Sequence, residues 1–205
     1  MSHFEQKARD YNTSGIAVFT EHEGFLDAPQ WERLEQAIRS MTYEPVILGD
    51  AGEINNLDVA RFMTDVQDMK VVDEVSTAIL MDIVATKALQ VFYRKITGFD
   101  QIFIRRAQVN RMRRGSFIGE HVDRDSNPNY AAAVVLQFGR NFSGGDFVVR
   151  GEDGAEHPIS PTYRSVVITR CDVPHRVATV THGERTSLVY FLADHSGPND
   201  RYSTK

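Results

Sequence analysis

The spacing of apolar residues changes near Gly98. In Asp27-Ala28-Pro29-Gln30-Trp31-Glu32-Arg33-Leu34-Glu35-Gln36-Ala37-Ile38, the residues Trp31, Leu34 and Ile38 share one helical face. Asp27 can cap that helix and Pro29 suits its first turn. A second helical region is predicted to end in KVVDEVSTAILMDIVATKALQVFYRKITG. There Val72, Val75, Ile79, Ile83 and Val91 recur at roughly helical spacing, and Gly98 stands where a C-terminal cap belongs. Residues 49–58, GDAGEINNLD, read as loop. Gly15-Ile16-Ala17-Val18-Phe19 reads as a short strand, and residues 1 to about 12 as a loosely held start.

After Gly98, seven short segments rich in Val, Ile, Phe and Tyr alternate with Gly, Asn, Asp and Pro clusters. They are QIFIRRAQVNRM, GSFIGEHVD, YAAAVVLQF, GDFVVR, YRSVVITR, HRVATV and RTSLVYFL. Strands at this spacing predict a sandwich or barrel. No helical pattern separates them, so the pairing should be antiparallel. The predicted fold class is α+β: a jelly roll (double-stranded β-helix), or a related barrel, with supporting N-terminal helices. One domain is expected over 1–205, with 1–98 mainly helical support and 99–193 the jelly-roll core.

Composition narrows the partners. The chain has 205 residues and a formal net charge of -5, which argues against nucleic acid or an anionic membrane as the main partner. The one cysteine, Cys171, allows no intramolecular disulfide, and buried filler is its expected role. The N-terminus, MSHFEQKARDYNTSG, has no apolar signal core, and no apolar run is long enough to cross a bilayer. A cytoplasmic location is therefore the expectation. Oligomeric state is left open.

The candidate chemistry starts in GEHVDRDSNP. His121 and Asp123 are two apart, so on a strand they share a face, roughly 6 to 7 Å apart along the backbone. Alone, the pair is better read as a strand-end histidine and a turn aspartate exposed to water. A third ligand from another strand changes that, and His175 fits best. Pro174 marks a strand start ahead of it, whereas His182 lies in Thr181-His182-Gly183-Glu184, which reads as a hairpin turn, and His157 precedes a proline. Two histidines and one carboxylate are the donor set of non-haem Fe(II) oxygenases. On the last strand, Arg185 and Ser187 share a face with Val189 and Phe191. An arginine there is either a surface residue at a strand end or a fork that grips a carboxylate, with the serine hydroxyl adding a bond.

In this order the residues resemble the Fe(II)- and 2-oxoglutarate-dependent dioxygenase superfamily, on its prolyl-hydroxylase-like branch. The resemblance covers about residues 100–193, through QVNRMRRGSFIGEHVD, AAVVLQFGRNFSGGDFVV and VPHRVATVTHGERTSLVYFL, with a weaker match at GIAVFTEHEGFLDAPQWERL. It implies that His121, Asp123 and His175 hold Fe(II). It implies that Arg185 binds the C5 carboxylate of 2-oxoglutarate, with Ser187 beside it. Where many relatives carry a tyrosine, this chain has Met112, and Asn110 or Gln108 on the same face could fill the gap in cosubstrate binding. The implied reaction consumes O2 and 2-oxoglutarate, releases succinate and CO2, and hydroxylates a C–H bond. No catalytic residue beyond the metal ligands is implied. Asp123 retains the carboxylate that related halogenases lack. Phe191 stands where some nucleic-acid demethylating relatives carry a second arginine.

For the substrate, Arg124, Asp125, Asn127 and Asn129 follow the metal strand and would sit near the mouth, or form only a solvated turn. Arg105, Arg106, Arg111, Arg113 and Arg114 form a basic cluster, read as an outer strand surface paired with acids rather than a binding patch. The first expectation is a small-molecule substrate, a free amino acid or derivative, and the second a peptidyl residue. Two other classes stay open: a non-catalytic binding module, and a zinc or manganese hydrolase or isomerase of cupin type.

Overall fold

The computed structural model describes residues 3–151 and 153–202. Residues predicted as a loose start form helix α1 (His3–Ser14), held by buried Ala8 and Tyr11; positions 1 and 2 lie outside the described residues. Strand β1 (Ile16–Phe19) and helix α2 (Ala28–Ser40) follow as predicted. The Asp27 carboxylate accepts the Gln30 backbone N–H, and the Gln30 side chain accepts that of Asp27, which satisfies two orphan donors at the α2 N-terminus.

The next stretch departs from the prediction. β2 (Glu44–Leu48) pairs with β3 (Ile54–Asp65), a twelve-residue strand lying where a loop and then helix were expected, and β4 (Met69–Val71) returns along it. Two short helices come after, α3 (Glu74–Val84) and α4 (Lys87–Thr97), bent 76° from one another. Thr86 caps α4 and so restarts the helical phase. A single period drawn through Val72, Val75, Ile79, Ile83 and Val91 therefore mixes three exposed valines with half-buried Ile79 and buried Ile83. The buried apolar residues are Leu80, Ile83 and Val84 on α3, and Leu89, Phe92, Tyr93 and Ile96 on α4. Gly98 ends α4 in the left-handed region, as predicted.

Nine strands follow: β5 (Phe103–Arg113), β6 (Phe117–His121), β7 (Ala132–Gln137), β8 (Phe142–Gly144), β9 (Phe147–Arg150), β10 (Glu156–Ile159), β11 (Val166–Arg170), β12 (His175–Val177) and β13 (Val180–Ala193). Seven are the predicted ones, while β8 (FSG) and β10 (EHPI) lack the Val- and Ile-rich runs that marked the others. β13 also runs through Thr181–Glu184, predicted as a hairpin turn, because β8 pairs with it there across a register shift.

All pairings are antiparallel, in the order β1-β11-β7-β13-β5-β3-β6-β12-β9-β10. The sheet curls into two layers. β3 joins them, pairing with β5 through Asp58–Met63 and with β6 through Asn55 and Asn56. β1 and β3 belong to the same sheet as the later strands, so the region before Gly98 supplies strands as well as helices. One face of the larger layer packs under the four helices, with Leu188, Tyr190 and Leu192 of β13 in that core. Its other face meets the smaller layer across Val59, Met112, Phe147 and Val177. A cavity of about 260 Å³ opens between the layers.

Candidate active site

Two strands of the smaller layer bring the histidines together. His121 ends β6 and His175 begins β12, and the two are register partners. Their rings lie 4.4 Å apart, centroid to centroid. Asp123 opens the 3-10 turn just after β6 rather than continuing the strand. Its Oδ1 lies 3.6 Å from His121 Nε2, and its Oδ2 lies 3.8 Å from His175 Nε2. One donor atom from each of the three residues falls within 4.8 Å of the others.

The tautomers suit ligation. His121 Nδ1 contacts Gly119 O at 2.9 Å, and His175 Nδ1 contacts Val173 O at the same distance. A carbonyl only accepts, so each Nδ1 donates, which in the neutral imidazole leaves Nε2 its lone pair. Burial opposes charging of His121, but the adjacent Asp123 outweighs it and raises its pKa. Burial pushes the His175 imidazole below its ordinary pKa, toward the neutral form. Burial also opposes ionisation of Asp123, but the adjacent His175 and His121 outweigh it and hold the carboxyl below its usual range. Asp123 Oδ2 is buried and accepts no hydrogen bond from the described residues. A buried carboxylate oxygen without a donor, facing two imidazole lone pairs, fits a divalent cation with mixed nitrogen and oxygen ligands. Behind it, burial and the Asp123 charge push the Cys171 thiol well above its ordinary range, so it stays a protonated filler.

Across the cavity, on β13, Arg185 is only 2% exposed. Nη1 reaches Ser187 Oγ at 3.1 Å and Met112 Sδ at 3.5 Å, and Nε has no partner among the described residues. No carboxylate lies within ion-pair distance of it among those residues. Burial drives the guanidinium down to about 10, with the charge of Asp146 offsetting part of that. It remains a cation at neutral pH, buried and uncompensated. Gly145 makes room for it: a Cβ there would lie 2.8 Å from Arg185 Cδ, at a backbone φ of +72°. These features fit a carboxylate from a ligand.

β5 supplies the adjoining polar wall. Arg106 Nε and Nη2 donate to Gln108 Oε1, and Gln108 Nε2 donates to Asn110 Oδ1 at 2.8 Å. Asn110 faces Ser187 in register and lines the cavity. Arg106 was grouped with the outer arginines, yet it has the parity of Asn110 and points inward, a signal the sequence did contain. Arg111 and Arg113 do pair outside, with Asp58 and Glu184. Arg105 pairs with an acid too, Asp65, but fully buried and not on the surface.

The three substrate candidates do not reach the cavity wall. Asn127 is completely buried and donates to Asp65 at 2.8 Å, tying the turn to β3. Arg124 donates to Tyr130 O and leans toward Asp172, and Asp125 is exposed. Of the turn residues, Asp123 and Ser126 line the cavity, and the three candidates do not. The 3-10 turn causes this, because it curls the chain away after Asp123 where a continuing strand would have carried it along the mouth. Glu53, in the β2–β3 connection, lines the cavity instead. Nothing in the polar run 49–58 marked it.

Comparison with known proteins agrees with this geometry. Residues 107–193 match the family model described as the 2OG-Fe(II) oxygenase superfamily. A solved structure described as an oxidoreductase of the 2OG-Fe(II) oxygenase family, from Burkholderia pseudomallei, is 35% identical. That match covers 96% of this chain and 93% of the other, with a TM-score of 0.86. A Pseudomonas putida prolyl-4-hydroxylase shares the fold at 18% identity, over 94% of this chain and 99% of its own, with a TM-score of 0.69. A Trichoplax adhaerens prolyl hydroxylase, solved with a hypoxia inducible factor peptide fragment, shares it at 14% identity. There the coverage is 98% and 93%, and the TM-score is 0.73. No curated protein matches the chain.

Proposed function

The chain belongs to the 2OG-Fe(II) oxygenase family and is an iron- and 2-oxoglutarate-dependent dioxygenase, and on that premise we propose that His121, Asp123 and His175 hold the iron while Arg185 holds the cosubstrate. The enzyme, in this reading, hydroxylates an unactivated C–H bond of a small molecule such as a free amino acid or derivative. One observation carries the assignment: a buried guanidinium without a counter-ion among the described residues shares a cavity with two imidazole Nε2 atoms and a carboxylate oxygen that has no partner among those residues.

When bound, iron and 2-oxoglutarate would supply the oxidising chemistry, in which O2, 2-oxoglutarate and the substrate C–H give succinate, CO2 and the hydroxylated product. The protein's part is orientation and shelter. Gly119 O and Val173 O fix the two rings so that both Nε2 atoms face the same point. Arg185 receives the distal carboxylate of the cosubstrate in a charge-assisted fork, and Ser187 adds a hydroxyl. Asn110, held by Gln108, takes the place of the absent tyrosine beside Met112. Val189, Phe191 and Phe147 line the cavity and limit water access.

A peptidyl substrate is the second reading. Ile47 and Leu48 favour it, being 72% and 64% exposed on the rim of the cavity, where an extended chain could lie.

The test is an anaerobic titration of the protein with Fe(II) and 2-oxoglutarate. A visible metal-to-ligand charge-transfer band should appear, vanish in His175→Ala and weaken in Arg185→Ala. Absence of the band in the unaltered protein sinks the assignment. Succinate release across free amino acids and peptides then separates the two substrate readings.

A further inference from the structure

Four residues that line the cavity each carry a buried polar atom with no partner among the described residues: Asp123 Oδ2, Arg185 Nε, Thr169 Oγ1 and Glu53 Oε2. The proposed iron and cosubstrate account for the first two. Glu53 is the remaining charged one, and it is firmly built in. Its Oε1 accepts from Asn55 Nδ2 at 2.9 Å, and Asn55 Oδ1 accepts the Gly119 N–H at 3.2 Å. Gly119 O in turn holds His121. The chain makes way for this carboxylate at Gly49, where a Cβ would fall 1.7 Å from Glu53 Oε1. Glu53 is not among the three residues whose donor atoms cluster, so an ion there leaves it unengaged.

The other charges at the mouth are balanced. Arg106 has Asp50 at 2.7 Å, and Arg61 has Glu44 at 3.1 Å. The uncompensated charge in the outer cavity is therefore negative, and it sits beside the metal-binding histidines. A buried carboxylate oxygen calls for a charged donor.

We propose that Glu53 is a specificity-determining residue and that the substrate carries an ammonium or guanidinium group, which it binds while the carbon to be oxidised faces the metal. This rests on the dioxygenase reading above and narrows its substrate class to cationic amines or guanidines.

The experiment uses the full protein loaded anaerobically with Fe(II) and 2-oxoglutarate. The probes are matched pairs: n-butylammonium against N-butylacetamide, butylguanidinium against butylurea. Binding is read by ligand-observed NMR and by perturbation of the charge-transfer band. The cationic member of each pair should bind on the order of 10- to 100-fold more tightly than the neutral one, the range for a charge-assisted bond. Glu53→Gln keeps the acceptor for Asn55, so its band and thermal midpoint should match the parent while the preference falls to near parity. Equal binding of the neutral members, no binding of either cation, or a preference that survives Glu53→Gln would each overturn the proposal. Failure of the underlying reading looks different: the band is then missing before any probe is added, and NMR still reports the cation preference.

Discussion

Arg105 and Arg185 are both lost to solvent, and their surroundings differ in one respect that decides their roles. Arg105 Nε and Nη2 form a two-pronged pair with Asp65, at 2.8 and 2.7 Å. Asn127 Nδ2 and the Tyr130 hydroxyl donate to the same carboxylate. The desolvation of both charges is thereby offset inside the protein, and the arrangement ties β3 and β5 to the turn that follows Asp123. Arg185, on the neighbouring strand, has a hydroxyl, a thioether and, among the described residues, no anion. A fold does not gain from burying a charge that way. The cost is tolerated because a ligand supplies the missing partner, so one arginine is part of the architecture and the other is half of a binding site.

Removing each one should break the comparison most sharply. Arg105→Ala leaves Asp65 buried and unmatched, and should destabilise the protein by about 3–5 kcal/mol in chemical denaturation. Arg185→Met removes an unmatched charge, so without ligand its stability should equal or exceed that of the parent. Equal losses from both variants would show that Arg185 is also structural.

The ligand gives the next largest effect. With Fe(II) present and oxygen excluded, 2-oxoglutarate at about 100 times its Kd should stabilise the parent by about 2.7 kcal/mol. For a chain of this size that raises Tm by roughly 5–10 °C. Arg185→Met should show little of that shift, whereas a variant that weakens the Arg105 network without unfolding the protein, such as Tyr130→Phe, should keep it.

Gly145→Ala tests how Arg185 is seated. The left-handed backbone costs a non-glycine residue about 1–2 kcal/mol, and the new Cβ would meet Arg185 Cδ at 2.8 Å. Affinity for 2-oxoglutarate should fall by about tenfold through the displaced guanidinium. Fe(II) affinity, measured alone, should hold, since the three metal-binding residues lie at the end of β6, in the turn after it and at the start of β12.

The contrast between the arginines also explains what the sequence could and could not disclose. Arg185 was legible because it opens an apolar strand face ten residues after His175, and a charge on such a face demands an explanation. The His121, Asp123 and His175 set was legible from spacing and order, although Asp123 reaches the cluster from a turn and not from the strand face. Arg105 was misread because strand parity alone puts it outside, while bulges in β3 and β13 and the Asn127 turn close over it. β3 was missed for a related reason. Its polar start, INNLD, is loop-like in composition, and only pairing with β5 and β6 makes it a strand. Glu53 left no trace because its importance lies in a partner it lacks, which no local pattern records.

The smallest effect tests whether the two faces of β13 are independent. Tyr190 lies on the helix side of that strand, and its hydroxyl meets that of Tyr93 at 2.7 Å in the buried core. Its sequence neighbours Val189 and Phe191 line the cavity. Tyr190→Phe leaves the Tyr93 hydroxyl without its partner and should cost about 1 kcal/mol, seen as a small drop in Tm. Adding Tyr93→Phe removes the orphan and should recover part of that loss, a coupling that a double-mutant cycle measures. Throughout the series the 2-oxoglutarate affinity should stay constant, since alternation along a strand sends successive side chains into different layers. If it moved with the core variants, strain would be passing through β13, and the setting of Arg185 would depend on helix packing as well as on Gly145 and Ser187.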